Sequence, residues 1–93
     1  MKLIEQLQTA SKHKLSLNKT QAIILLSLSA RRITELAKLL NVTPAAMTGM
    51  IDALQMDHIA KRVRANSKDR RVVNIMLTEK GNDIAREILS NEN

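Results

Sequence analysis

Ninety-three residues leave room for one domain, and a chain of this length buries only about 60–65% of its extended surface. Cys is absent, which excludes disulfides, thiolate metal clusters and cysteine redox switches. Phe, Trp and Tyr are absent too, which removes the stacking platforms of single-strand and RNA-recognition modules. The formal charge is +6, from 15 Lys and Arg against 9 Asp and Glu, and so basic a small domain points to a polyanion, either nucleic acid or an anionic membrane surface.

Leu3, Ile4, Leu7 and Ala10 recur at helical spacing and predict a first helix over about residues 2–12. Ser11 to Ser16 is polar and basic and reads as a link. A helical core is then predicted over residues 18–56. Asn18 is the expected N-cap of a helix whose run from Gln21 to Leu28 is apolar nearly all round, which should make it the most buried helix. Ser29 to Arg32 form a tight connection. Ile33 to Leu40 make the next helix, with Ile33, Leu36, Ala37 and Leu40 inward. Asn41-Val42-Thr43-Pro44 breaks it. Thr43 can cap the following helix, and Pro44 suits its first turn, where no amide hydrogen is needed. That helix runs to about Met56, and Met47, Met50, Ile51 and Leu54 form its inner stripe, a core pattern in which Met fills irregular gaps.

The hydrophobic period then changes. Ile59 to Ala65 and Arg71 to Leu77 are rich in Val and Ile with partial alternation, and predict a hairpin over residues 59–77. Val73, Ile75 and Leu77 share one of its faces. Asn66-Ser67-Lys68-Asp69-Arg70 is a charged, turn-like tip. Lys61, Arg62, Arg64, Lys68, Arg70 and Arg71 place six of the fifteen basic residues in eleven positions, opposed only by Asp69. Thr78 caps a last helix over about residues 78–90, with Glu79 near its positive end and an apolar stripe of Ile84, Ala85, Ile88 and Leu89.

Two short helices joined by a tight turn and followed by a basic hairpin define a winged helix-turn-helix, mainly α with a small β-hairpin. The second helix of such a pair fits the major groove, about 12 Å wide, with its N-terminal residues at base edges. Its N-terminus offers backbone amides and positive dipole to phosphate. The hairpin beside it reaches phosphates or the neighbouring minor groove.

Three ordered segments carry a family resemblance: Leu17-Asn18-x-x-Gln21-x-x-Ile24-Leu25, Thr34-Glu35-Leu36-Ala37-x-x-Leu40-Asn41-Val42-Thr43, and Met47-Thr48-x-x-Ile51-Asp52-x-Leu54. Asp69-Arg70-Arg71 and Leu77-Thr78-Glu79-Lys80-Gly81 add to it. Together, over Leu17 to Ala85, they resemble the MarR family of bacterial transcriptional regulators, in a short, minimal version. The resemblance implies that Thr43, Pro44, Ala45, Thr48 and Gly49 form the exposed side of a recognition helix. It implies that Arg71 is a wing arginine entering the minor groove and that Asp69 orients it. By the charge cluster alone, Arg62, Arg64, Lys68 and Arg70 are the further DNA-binding candidates of the wing. The resemblance also implies a homodimer, expected here to be weak; the terminal stripes Leu3, Ile4, Leu7 and Ile84, Ile88, Leu89 are the candidates for its interface, and the alternative is that they pack on the chain's own core and leave a monomer.

Several positions depart from the family pattern. The short Ser29–Arg32 loop leaves the usual third wing strand as a stub or missing. His58 stands where a Gly commonly follows the recognition helix. The exposed face of that helix has no Arg, Lys, Asn or Gln before Gln55, so bidentate readout of guanine or adenine is not available from it. Affinity should then lean on phosphate contacts and on groove width.

Other function classes fit less well. Two His, no Cys and no Tyr give no recognisable catalytic set, and Gly49 and Gly81 are the only glycines, so no phosphate loop is present. No enzyme activity, metal or cofactor is expected, and a small-molecule effector is left open. The first helix lacks the aromatic anchors and basic face of a membrane-surface helix. With no apolar run of about 18 residues and no visible signal peptide, a cytoplasmic protein is expected. The alternative to DNA binding is a winged-helix interaction module that turns its basic wing on an acidic protein.

Overall fold

The computed structural model describes residues 15–64 and 72–90. In chain order these form α1 (Leu17–Leu28), α2 (Ile33–Leu40), α3 (Pro44–Met56), β1 (Ala60–Arg64), β2 (Val73–Leu77) and α4 (Glu79–Leu89). The helix expected over residues 2–12 and the hairpin tip with Lys68, Asp69, Arg70 and Arg71 lie outside the described residues.

β1 and β2 pair antiparallel, with Ala60 opposite Leu77, Arg62 opposite Ile75 and Arg64 opposite Val73. The third strand is the expected stub. Arg31 alone bridges Ile75, its amide donating to the Ile75 carbonyl at 3.0 Å and its carbonyl accepting from the Ile75 amide at 2.7 Å. One residue suffices because α2 begins at Ile33 and leaves no room for a longer strand.

The core lies where the four helices meet the inner face of the hairpin. Ile23, Leu36, Met47, Ile51, Leu54, Ile75 and Ile88 are fully buried at its centre. Each side chain of this size contributes about 1.5–3 kcal/mol on burial. Ile24, Leu25, Ile33, Leu40, Val42 and Met50 pack around them, half-buried.

Two expectations for α1 are corrected. Its N-cap is Ser16, not Asn18: Ser16 is extended (ψ 164°) and its Oγ accepts the Lys19 amide at 3.2 Å. The buried Thr20 hydroxyl donates back to the Ser16 carbonyl at 2.9 Å, which satisfies it within the same turn. Nor is α1 enclosed all round. Ala22, Ile23 and Leu26 are buried, but Leu17 and Leu28 are exposed. A domain this small buries too little surface to cover an apolar helix on every side.

The C-terminal stripe has its place in this core. Ile84, Ala85 and Ile88 are buried within the chain itself, which removes Ile84 and Ile88 from the residues expected to face a second copy. Leu89 is half-buried.

Candidate nucleic-acid interface

α2 and α3 are joined by Asn41, Val42 and Thr43, and the turn is tight because Asn41 adopts the left-handed conformation (φ 56°). The Asn41 amide then reaches the Lys38 carbonyl at 3.2 Å and the Val42 amide the Ala37 carbonyl at 3.0 Å, closing the end of α2. Asn tolerates this conformation better than most residues. The next residue starts α3: Thr43 Oγ1 accepts the Ala46 amide at 3.1 Å, and Pro44 occupies the first turn.

Met47, Ile51 and Leu54 turn one face of α3 into the core. The other face is free, and Thr43, Pro44, Ala45, Thr48 and Gly49 are all exposed on it. The two hydroxyls differ in what they can offer. Thr48 Oγ1 donates its proton to the Pro44 carbonyl at 2.9 Å, so it presents acceptor lone pairs and a methyl group. Thr43 Oγ1 is an acceptor in the cap and keeps its proton for an outside partner. Gly49 has no structural reason to be glycine. Its φ is not positive, and a Cβ there would meet no described atom within 4 Å. Glycine in a helix interior costs about 1 kcal/mol relative to alanine.

The far end of α3 is fixed by a second left-handed residue. His58 (φ 59°) lets its own amide reach the Gln55 carbonyl at 3.0 Å and the Ile59 amide the Leu54 carbonyl at 2.8 Å. Glycine is common at this position in the resembling family because this conformation carries no steric cost without a Cβ. The start of α4 is then locked to the same corner. The Thr78 amide donates to the Ile59 carbonyl at 3.0 Å, and Thr78 Oγ1 accepts the Gly81 amide at 3.0 Å. Lys80 Nζ donates to the Asp57 carbonyl at 2.8 Å.

Alternation along β1 divides its cations. Ala60, Arg62 and Arg64 share the face of Leu77, Ile75 and Val73, whereas Lys61 and Val63 lie on the other. The Arg62 guanidinium turns to α3, where one terminal nitrogen donates to Asp52 Oδ1 at 2.6 Å and the other to Gln55 Oε1. Arg64 and Lys61 are exposed. The structure therefore brings Thr43, Pro44, Ala45, Thr48 and Gly49 onto one surface. It joins Arg62 to that helix and leaves Arg64 at the outer end of the strand. Lys68, Asp69, Arg70 and Arg71 lie outside the described residues. Sequence reasoning missed the partnership of Asp52 and Gln55 with Arg62. Only the strand register puts Arg62 rather than Lys61 toward α3.

Among the described residues no group of three or more His, Asp or Glu could hold a metal ion, and no helix is long and apolar enough to cross a membrane.

A helix pair with a tight left-handed turn, an exposed second helix and an adjoining basic hairpin is a winged helix-turn-helix. Residues 6–88 match the transcriptional regulator family SarA/Rot, and the chain belongs to that family. It is 32% identical over 83 residues to MdtR, an HTH-type transcriptional repressor of Bacillus subtilis, a match covering 86% of this chain and 53% of MdtR. YetL, another HTH-type transcriptional repressor of that organism, is 46% identical over 48 residues, covering 52% of this chain and 28% of YetL. The structure of ZitR from Lactococcus lactis in complex with DNA superposes with a TM-score of 0.73 at 31% identity, covering 84% of this chain and 53% of ZitR. The chain thus spans about half the length, or less, of these relatives. The resemblance to MarR-type regulators and the winged-helix fold are both borne out.

Proposed function

We propose that the protein binds double-stranded DNA as a MarR-type regulator, with α3 in the major groove and the hairpin in the adjacent minor groove. The observation that carries this is Gly49. A helix that forgoes about 1 kcal/mol at an exposed interior position, with no atom of the other described elements within 4 Å of where a Cβ would stand, is shaped for close approach by another surface. The solved DNA complex of ZitR supports the same reading. On this proposal, Thr43, Pro44, Ala45, Thr48 and Gly49 of this chain would face base edges, Arg64, Lys68 and Arg70 would bind phosphates, and Arg71 would enter the minor groove, oriented by Asp69. Repression is the direction of control in the relatives' names, and we assign it here, at work in the bacterial cytoplasm. Dimerisation would use Leu3, Ile4 and Leu7 together with Leu89, since Ile84 and Ile88 are enclosed.

The test is a salt titration of duplex binding. Neutralising Z phosphates gives a log–log slope of roughly −0.9Z, so about four wing contacts give a slope near −4 per protomer. A slope shallower than about −1 would remove the wing as an electrostatic footprint and favour an acidic protein as its target. Asp69→Ala adds a sign test: it removes a charge that repels DNA, yet should weaken binding because Arg71 loses its orientation. Tighter binding by that variant would overturn the role of Asp69.

A further inference from the structure

Arg62 counts toward the basic wing by composition, but its guanidinium is already engaged. One terminal nitrogen lies 2.6 Å from Asp52 Oδ1 and the other donates to Gln55 Oε1. Both acceptors stand on α3, and the Asp52 side chain is 58% exposed on the side of that helix next to Thr48. An unpaired carboxylate there would face the polyanion that α3 is built to meet. Like charges brought face to face across an interface strongly disfavour binding. Arginine, with its fixed fork of donors, can hold a carboxylate and an amide oxygen at once, whereas lysine cannot do so with the same geometry. Gln55 must present its oxygen to this contact, because a guanidinium only donates.

We infer that Arg62 is a positioning residue of the DNA interface, cancelling the Asp52 carboxylate and fastening the wing strand to the recognition helix, and not a phosphate ligand. The inference rests on the proposed DNA binding. It predicts that helix and hairpin dock as one body, because the strand is tied to the helix at the point where the wing leaves the core. It also separates Arg62 from Arg64, which shares its strand face but has no hydrogen-bond partner among the described residues that would hold it back from phosphate.

The experiment is a double-mutant cycle on duplex binding, using Arg62→Met, Asp52→Asn and the two combined, each with its thermal midpoint and salt slope. Arg62→Met should weaken binding by about tenfold or more, because it bares Asp52. Adding Asp52→Asn should return affinity to within about threefold of the wild type, the remaining loss being that of the tie between strand and helix, a coupling that only a shared interaction produces. The salt slope of Arg62→Met should stay unchanged, while Arg64→Met should flatten it by about 0.9. A purely structural role would move the thermal midpoint in step with affinity; here the midpoints should stay together while affinities differ. Two results overturn the inference: equal losses from Arg62→Met with Asp or Asn at position 52, or a slope flattened by about 0.9 in Arg62→Met. Failure of the wild type to bind any duplex would instead bring down the DNA reading and this inference with it.

Discussion

The carbonyl oxygen of Ile59 occupies the space that a side chain on Gly81 would need: an ideal Cβ there would lie 2.1 Å from it. That carbonyl already accepts the Thr78 amide and cannot turn away. The contact sets the start of α4 against the end of α3. It explains why a Leu-Thr-x-x-Gly sequence stands at this corner, with Thr78 capping the helix and Gly81 allowing the approach. Gly81→Ala should therefore destabilise the fold by about 3 kcal/mol, at the upper end of overpacking costs, since backbone and not a flexible side chain stands in the way. Urea unfolding followed by circular dichroism checks this; a loss below about 0.5 kcal/mol would show that the corner gives way.

His58 is the reverse case, a side chain where glycine would sit more easily. Its left-handed backbone (φ 59°) costs an L-residue about 1–2 kcal/mol, and glycine returns part of that gain as unfolded-state entropy. His58→Gly should stabilise the protein by about 0.5–1 kcal/mol, because the exposed imidazole sits outside the core. His58→Val should do the opposite, since a β-branched residue is a steric outlier in this region. The comparison is read from denaturant midpoints of the three proteins at unchanged slope.

Much of this architecture was legible because its signals are local. Thr43 and Thr78 announce helix starts within three residues of the amides they cap, and the inner stripe of Met47, Ile51 and Leu54 repeats at helical spacing. Ser16 and Asn18 are both good caps within one turn, and only the extended backbone at Ser16 decides between them. Arg62 and Lys61 read alike in sequence. Their separation comes from strand register, and the partner Asp52 lies ten residues away on another element. The stripe of Ile84 and Ile88 would look the same whether covered by its own chain or by a second one. Its burial is a tertiary fact that periodicity cannot carry.

The exposed face of α3 gives a prediction in which stability and binding part company. Gly49→Ala should stabilise α3 by about 1 kcal/mol, because alanine is the better helix former and the added methyl has open space. Gly49→Glu should also fold, since Met47, Ile51 and Leu54 keep their places, yet it should lose duplex binding by putting a carboxylate against phosphate. Thr48→Ala should be mild, removing one hydroxyl whose proton is already held by Pro44. Native circular dichroism with full duplex binding in Gly49→Glu would show that this face of α3 does not enter a groove.

The terminal stripes give the last prediction, and the structure divides it in two. Ile88 is fully enclosed among the residues of its own core, so Ile88→Glu places a carboxylate where water cannot reach it. The cost of an unpaired buried charge exceeds the margin of a small domain, typically about 5–10 kcal/mol in total, or forces the group to stay protonated. That variant should unfold at neutral pH and report nothing about assembly. Leu3→Glu is the informative change, because it alters the N-terminal stripe and leaves every residue of the described core unchanged. It should keep the wild-type denaturation midpoint. It should also lower the sedimenting mass from dimer toward monomer at micromolar concentration, with operator binding weakened as the second half-site contact is lost. Because dimer stability follows mass action, the wild-type mass itself should rise with concentration. A wild type that sediments as a monomer even at high micromolar concentration would remove the dimer, and a Leu3→Glu protein that unfolds would place Leu3 in the core beside Ile88.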